Sequence, residues 1–420
     1  MKLFGTDGIR GKFNEPPINY EHLVKIGYAF ARSLFGDEVG HVYISHDGRE
    51  SASDIESALS IGILAQGSKV NYAGLFPTPA LSICMNMEGL SNELHAGIQI
   101  TASHNPYSDN GVKFFDQHGH KIDDALEKSI ENNYNNQEED IISKDLRVSK
   151  VDCSDRFNKY YINYINEYFM LKMNDINLPV KKINILVDCA NGATSKIINK
   201  ILKDSFINII SIYNEPTGTN INSDCGATHT DALKRFIHDF NNINANTTDY
   251  DETREPKDLK IDLGVALDGD GDRAIFISPY GVEINGDDTL YILALFHKSF
   301  SKSNKPVVGT KMTNHGIQNL YKKNNIEFIQ ADVGDKNVLN AMIKSGAIFG
   351  GEPSGHVLSP MLNNLYVGDG IITLINLLEV IFKQDKDIDQ LKNEIISIPS
   401  KLFNTNVTDK KAFLEDEINI

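Results

Sequence analysis

Short apolar runs that suit buried strands alternate with stretches of helical periodicity through most of the chain, and that alternation confines it to α/β architectures. Leu23, Ile26, Phe30 and Leu34 fall on one helical face, and Val42, Tyr43 and Ile44 then read as a buried strand. Ile55, Leu59 and Ile63 give a second helix, followed by a strand at residues 70–72. Such an order predicts mixed or parallel sheets covered by helices. The pattern restarts at residues 183–187 and again at 307–308, which predicts similar α/β units in series.

A chain of 420 residues exceeds what one core holds, so two to four domains are expected. The charged, Asn-rich stretch between Asn132 and Lys150 marks a first boundary, giving a unit over residues 1–150. A second boundary falls just after Gly286, where a helix begins near Asp287. Residues 241–258 are polar and rich in Asn, Thr and Asp, the composition of a long surface loop.

The net charge of −16 argues against a broad nucleic-acid or anionic-membrane surface. It leaves room for an anionic substrate, because a local cluster of Arg and Lys can reverse the field inside one cleft. The N-terminus lacks the apolar core of a signal peptide. The longest apolar stretch, residues 371–382, is too short to cross a bilayer and contains Asn and Glu. Cys84, Cys153, Cys189 and Cys225 form no CxxC pair, which reads as free thiols in a reducing cytoplasm.

Chemistry concentrates in four segments. Asp268-Gly269-Asp270-Gly271-Asp272-Arg273 follows the apolar run at 263–267. Three carboxylates at alternate positions, with glycines between them, can aim oxygens at one hard cation. The arginine adds a planar donor for a phosphate beside that cation. A calcium EF-hand does not fit, since Arg273 stands where that loop needs glycine and Pro279 where it needs a bidentate Glu. Thr101-Ala102-Ser103-His104-Asn105-Pro106 ends a strand at 98–100 and turns at Asn-Pro, so that Ser103 can face a cleft. No GxSxG elbow surrounds it. Beside a metal loop it makes better sense as a phosphorylatable serine, whose phosphate could complete the metal's coordination. Lys113, after Asn110-Gly111-Val112, could then move a proton or hold charge there. Gly350-Gly351-Glu352-Pro353-Ser354-Gly355-His356 presents groups suited to vicinal sugar hydroxyls. Gly5-Thr6-Asp7-Gly8-Ile9-Arg10-Gly11 is a turn that could offer Arg10 to a phosphate.

Taken together, in this order and spacing, the four segments resemble the α-D-phosphohexomutase superfamily over residues 1–383. The opening from Phe4 to Gly11 and the run Asp109-Asn110-Gly111-Val112-Lys113-Phe114-Phe115 are most similar to its bacterial phosphoglucosamine mutase branch. The resemblance implies serial mixed α/β domains around a central cleft. They span residues 1–150 with the phosphoserine loop, 151–286 with the metal loop and 287–366 with the sugar-binding loop. Residues 367–420 resemble only the first part of a fourth, α+β domain. The Arg-x-Ser-Gly-Thr-Glu-Pro-type loop of that domain, which clamps the substrate's distal phosphate, has no counterpart here, and a truncated fourth domain is expected. Its apolar helix, with Leu374, Leu377, Leu378 and Ile381, needs a partner surface.

The resemblance further implies one Mg²⁺ per chain, bound by Asp268, Asp270, Asp272 and phosphorylated Ser103. Arg10, His104, Lys113 and Arg273 would line the transfer site, and Glu352, Ser354 and His356 would meet the sugar. The implied reaction interconverts glucosamine 6-phosphate and glucosamine 1-phosphate in the cytoplasm, supplying peptidoglycan precursors. A glucosamine or glucose 1,6-bisphosphate would serve as primer and intermediate. The partners would be small sugar phosphates, with no nucleic acid or membrane, and the chain a monomer or homodimer. Glucose or mannose phosphates as substrate, a magnesium phosphohydrolase and a non-catalytic sugar-phosphate binder remain alternatives from the residues alone.

Overall fold

The computed structural model describes residues 1–5, 7–87, 90, 92–136, 150–174, 176, 182–203, 205–246, 260–362 and 365–399. Three sheets follow one another along these residues. The first holds β1 (Ile9–Lys12), β2 (His41–His46), β3 (Lys69–Leu75), β4 (His95–Ile100), β5 (Asp109–Phe115) and β6 (Lys150–Asp152), in the order β1-β5-β4-β2-β3-β6. The second comprises β7 (Ile183–Asp188), β8 (Ile207–Ile212), β9 (Leu263–Leu267), β10 (Ala274–Ile277) and β11 (Glu283–Ile284), in the order β11-β10-β9-β7-β8. The third comprises β12 (Val307–Thr310), β13 (Phe328–Ala331), β14 (Phe349–Gly351), β15 (Val357–Pro360) and β16 (Tyr366–Gly368), in the order β13-β12-β14-β15-β16.

The helices are α1 (Tyr20–Phe35), α2 (Ala52–Gln66), α3 (Thr78–Met85), α4 (Asp124–Asn135), α5 (Ser154–Lys172), α6 (Asp231–Asn246), α7 (Gly286–Ser301), α8 (His315–Lys323), α9 (Asp335–Ser345), α10 (Gly370–Gln384) and α11 (Ile388–Asn393). Several of their starts carry side-chain caps. The Asn19 side chain accepts from His22 N at α1, and Asn285 and Asp288 form a reciprocal capping box at α7. Leu23, Ile26 and Phe30 bury the inner face of α1, and β4 is buried at every position, as a strand covered on both faces must be.

The three sheets share one wiring. In each, a central strand (β2, β7 or β12) has a parallel neighbour on either side, β3 and β4, β8 and β9, or β13 and β14. The later of the two neighbours then pairs antiparallel with the next strand, β5, β10 or β15. The serial α/β units expected from the hydrophobic pattern are thus repeats of one topology. The three motif-bearing loops occupy its equivalent position, after β4, β9 and β14, at the carboxyl ends of parallel strands where α/β sheets gather their ligand-binding loops.

Strand pairing crosses two of the expected boundaries. A cut after residue 150 would divide β6, which pairs with β3, and one after residue 366 would divide β16, which pairs with β15. Each of these edge strands has three residues, too few for an apolar pattern to announce them. The helix expected to need a partner is α10: Leu374, Leu377 and Leu378 are buried, and it lies against α5 and α7. Tyr161 donates to Asp369, the cap of α10, at 2.7 Å, and Tyr168 to Asn376 Oδ1 at 2.8 Å. One apolar cluster, from Tyr43 and Phe157 through Ile185 to Ile371, runs through all three units. The first six residues of the expected polar loop belong to α6; residues 247–258 of it, like residues 400–420 of the expected fourth domain, lie outside the described residues. All four cysteines are buried free thiols, and no helix among the described residues is long and apolar enough to cross a membrane.

Candidate active site

The loop after β4 places Ser103 in the left-handed region, at φ 53°, a conformation that costs a non-glycine residue energy and persists where the surroundings impose it. They do so here with buried hydrogen bonds. Ser103 N donates to Thr101 Oγ1 at 2.8 Å, and Thr101 Oγ1 donates to Asp47 Oδ2 at 2.7 Å. Asp47 also accepts from Arg49 Nε at 2.9 Å. The Arg49 guanidinium then spreads over four carbonyls of the loop: Ser103 at 3.1 Å, Asn105 at 2.9 Å, Asp109 at 2.9 Å, and Pro106. Each nitrogen of this buried guanidinium has a partner, as a charge taken out of water requires.

The loop after β9 meets this one directly. Ser103 Oγ donates to Asp268 Oδ2 at 2.7 Å. One oxygen from each of Asp268, Asp270 and Asp272, all buried, lies within 4.8 Å of the others. Asp270 Oδ1 and Asp272 Oδ1 are buried without a hydrogen-bond partner, an arrangement that is costly unless something else satisfies it. Burial, and then the charges of Asp272 and Asp270, push the Asp268 carboxyl well above its ordinary pKa. Three hard carboxylate donors, two of them with an unpartnered buried oxygen, fit a divalent cation such as Mg²⁺.

Cations close around the carboxylates. Lys113 Nζ sits 2.8 Å from Asp270 Oδ2 and 3.0 Å from Asp272 Oδ2. Burial opposes its charge, but Asp270, Asp272 and Asp7 outweigh that and hold its pKa well above the usual lysine value. Arg273 Nε lies 3.8 Å from both Asp268 and Asp272. Arg10 reaches Asp7 Oδ2 at 2.7 Å. His104 Nδ1 is 3.4 Å from Ser103 Oγ. Burial and the Arg273 charge lower its pKa to about 4, so at neutral pH it stands beside the serine as an uncharged imidazole.

A closed ring of alternating charge passes through this site. Asp272 Oδ2 meets Lys113, and Lys113 is 3.4 Å from Asp7 Oδ2. Asp7 Oδ1 is 2.5 Å from Lys121, which also pairs with Asp335. Asp335 Oδ2 lies 3.9 Å from His356 Nε2, and His356 Nδ1 lies 3.5 Å from Asp272 Oδ1, completing the circuit. Burial lowers the His356 pKa, but Asp272 and Asp335 overcome it and raise the value above the ordinary one. Burial raises that of Asp7, yet Lys113, Lys121 and Arg10 bring it well below the carboxylate range.

In the loop after β14, Glu352 Oε1 accepts from Gly334 N at 3.0 Å, and Ser354 Oγ is buried without a partner. Its backbone touches the second unit, where Ala274 N donates to Gly355 O at 3.1 Å. The structure therefore brings Ser103, His104, Lys113, Arg10, Arg273, Asp268, Asp270, Asp272 and His356 into one connected centre, with Glu352 and Ser354 on the adjoining loop. Sequence reasoning missed Asp47, Arg49, Lys121 and Asp335. Only Asp7 among the newly found charges lay inside a motif already singled out.

Known proteins resemble this chain over most of its length. The family described as phosphoglucomutase/phosphomannomutase matches through its alpha/beta/alpha domain I at residues 1–140, domain II at 159–281 and domain III at 285–398. The phosphoglucosamine mutase of Idiomarina loihiensis is 36% identical over 416 residues, covering 99% of this chain and 86% of that protein. That of Coxiella burnetii is 36% identical over 408 residues, covering 97% and 84%. Among solved structures, a phosphoglucomutase/phosphomannomutase family protein from Burkholderia thailandensis superposes with a TM-score of 0.72 at 21% identity, covering 94% of this chain and 80% of that one. The Aspergillus fumigatus N-acetylphosphoglucosamine mutase, solved with GlcNAc-6P and magnesium, gives 0.63 at 17% identity, covering 98% and 83%.

Proposed function

The chain belongs to the phosphoglucomutase/phosphomannomutase family, and from that premise we propose that it is an isomerase interconverting glucosamine 6-phosphate and glucosamine 1-phosphate. The observation that carries this reading is the Ser103 hydroxyl, buried at 2.7 Å from Asp268 in a loop of three carboxylates. The active form carries a phosphoryl group on Ser103 Oγ. That group passes to the C1 hydroxyl of glucosamine 6-phosphate: the bond from phosphorus to Oγ breaks as the bond to the sugar oxygen forms. The hydroxyl proton ends on Ser103, and the sugar becomes a 1,6-bisphosphate. The bisphosphate turns over within the cleft, and its 6-phosphoryl group passes to Ser103 Oγ: the bond from phosphorus to O6 breaks as the bond to Oγ forms, the serine proton goes to O6, and glucosamine 1-phosphate is released.

Transfer of this kind asks for in-line positioning and charge neutralisation rather than covalent assistance. Lys113, held charged by its carboxylate neighbours, supplies a fixed cation, and Arg10 and Arg273 supply two more. Uncharged His104 lies beside Oγ and adds no repulsion to them. Asp268, Asp270 and Asp272, with the Ser103 phosphate, would hold Mg²⁺, which when bound withdraws charge from the phosphoryl oxygens. Glu352 and the unpartnered Ser354 hydroxyl meet the sugar hydroxyls, with His356 next to them. A glucose or glucosamine 1,6-bisphosphate primes Ser103, and the reaction takes place in the cytoplasm.

The deciding experiment is turnover of glucosamine 6-phosphate with Mg²⁺ and a trace of glucose 1,6-bisphosphate, with glucose 6-phosphate in parallel. Preferential formation of the amino-sugar 1-phosphate is expected. Free phosphate as the main product would replace this reading with a phosphohydrolase.

A further inference from the structure

Ser103 belongs to the first unit and its carboxylate partner Asp268 to the second, so productive geometry depends on how the two loops are held together. We infer that Asn222 is a positioning residue that does this for the Ser103 peptide. The inference rests on the mutase reading of Ser103. Asn222 Nδ2 donates to Ser103 O at 2.8 Å and to Asn105 O at 3.0 Å, reaching 119 and 117 residues back along the chain. Arg49 Nη2 donates to the same two carbonyls from within the first unit. The nucleophile's peptide is therefore gripped from both units.

The carboxylate loop closes the third side. A Cβ on Gly269 would lie 2.8 Å from Asn222 Nδ2 and 2.8 Å from Ser103 O, so the metal loop packs against this hydrogen bond with no room to spare. Asn222 is itself buried and left-handed, at φ 56°, and its N–H donates to Ala190 O at 2.9 Å. A short amide is well suited to the position: asparagine tolerates this backbone conformation and carries two donors. Rotation of the Ser103 peptide would swing Oγ away from Asp268, and displacement of a reacting atom by about 1 Å can cost on the order of 100-fold in rate.

Two variants test the assignment. Asn222→Gly keeps the left-handed backbone and deletes the donor. Asn222→Asp keeps the size and backbone but sets carboxylate oxygen against two carbonyls. In both, kcat on glucosamine 6-phosphate should fall roughly 10- to 100-fold with KM within about twofold, and Asp should be at least as impaired as Gly. Amide exchange over residues 101–106 should quicken about tenfold or more, while residues 307–323 exchange as in the wild type. A near-wild-type Asn222→Asp would reduce the residue to packing, and a loss confined to KM or unchanged exchange would also overturn the inference. Should the wild-type chain form no sugar 1-phosphate, the mutase reading falls. Exchange at residues 101–106 then decides alone, faster exchange sustaining the clamp and unchanged exchange refuting it.

Discussion

Lys121 of the first unit pairs with Asp335, the first residue of α9 in the third unit, 214 residues further along the chain. Through Asp7 on one side and His356 on the other, this pair connects to both oxygens of Asp272. The charge state and placement of a metal-loop carboxylate are thereby tied to the docking of a different unit. A single loss in such a ring takes one partner from two half-buried or buried charges at once, so its cost exceeds that of an isolated surface pair.

Lys121→Met and Asp335→Asn should each lower kcat/KM by roughly 10-fold, and the double variant should be no worse than the poorer single. A coupling energy of about 1 kcal/mol or more in the cycle is expected. Additive effects would dissolve the ring into independent surface pairs.

Ser103→Ala removes the acceptor of the phosphoryl group. Turnover should fall by about three orders of magnitude or more, and mass spectrometry after incubation with a sugar 1,6-bisphosphate should find no phosphate on residues 101–106. Retention of full activity would end the phosphoserine scheme.

Asp270→Asn removes charge from an oxygen set that already lacks hydrogen-bond partners at Asp270 Oδ1 and Asp272 Oδ1. The Mg²⁺ concentration giving half-maximal rate should rise at least about tenfold. Chelation should silence the wild type, and added Mg²⁺ should restore it. An unaltered magnesium dependence of the variant would remove Asp270 from the ligand set.

Asp287, buried at the start of α7, accepts from Asn314 N at 2.8 Å through Oδ2, while Oδ1 has no partner. Burial raises its pKa from 3.8 to about 6. The unfolded chain loses this proton first, so the stability it confers is complete below about pH 4 and lost as pH rises through about 6. The change is about 3 kcal/mol. An amide at this position mimics the protonated acid, so calorimetry should find Asp287→Asn equal to wild type near pH 4 and more stable at pH 7. An equal difference at both pH values would refute the assignment.

The strand and helix alternation was legible because buried strands and amphipathic helices leave distinct periods; residues 42–44 and 263–267 became β2 and β9 in that way. Ser103 and the Asp268 loop were legible because glycine spacing and repeated carboxylates suit few purposes other than their own chemistry. Arg49 and Asn222 were not. Each reads locally as an ordinary polar residue, and its meaning comes from carbonyls 54 and 119 residues away. Lys121 sits in the polar stretch after β5, next to Ile122, where a solvated lysine is the ordinary reading; only the folded chain brings it beside Asp335. The ends of the first and third sheets escaped notice because β6 and β16 are three-residue edges, and the residues of β6 are exposed throughout.

The charge ring draws Asp7, Lys113 and Lys121 from the first unit, Asp272 from the second, and Asp335 and His356 from the third. A change at any one of the six takes a partner of opposite sign from two others. Such an arrangement would make six separate positions behave as one inherited character, with replacements expected to arrive as matched sets whose members lie in different domains.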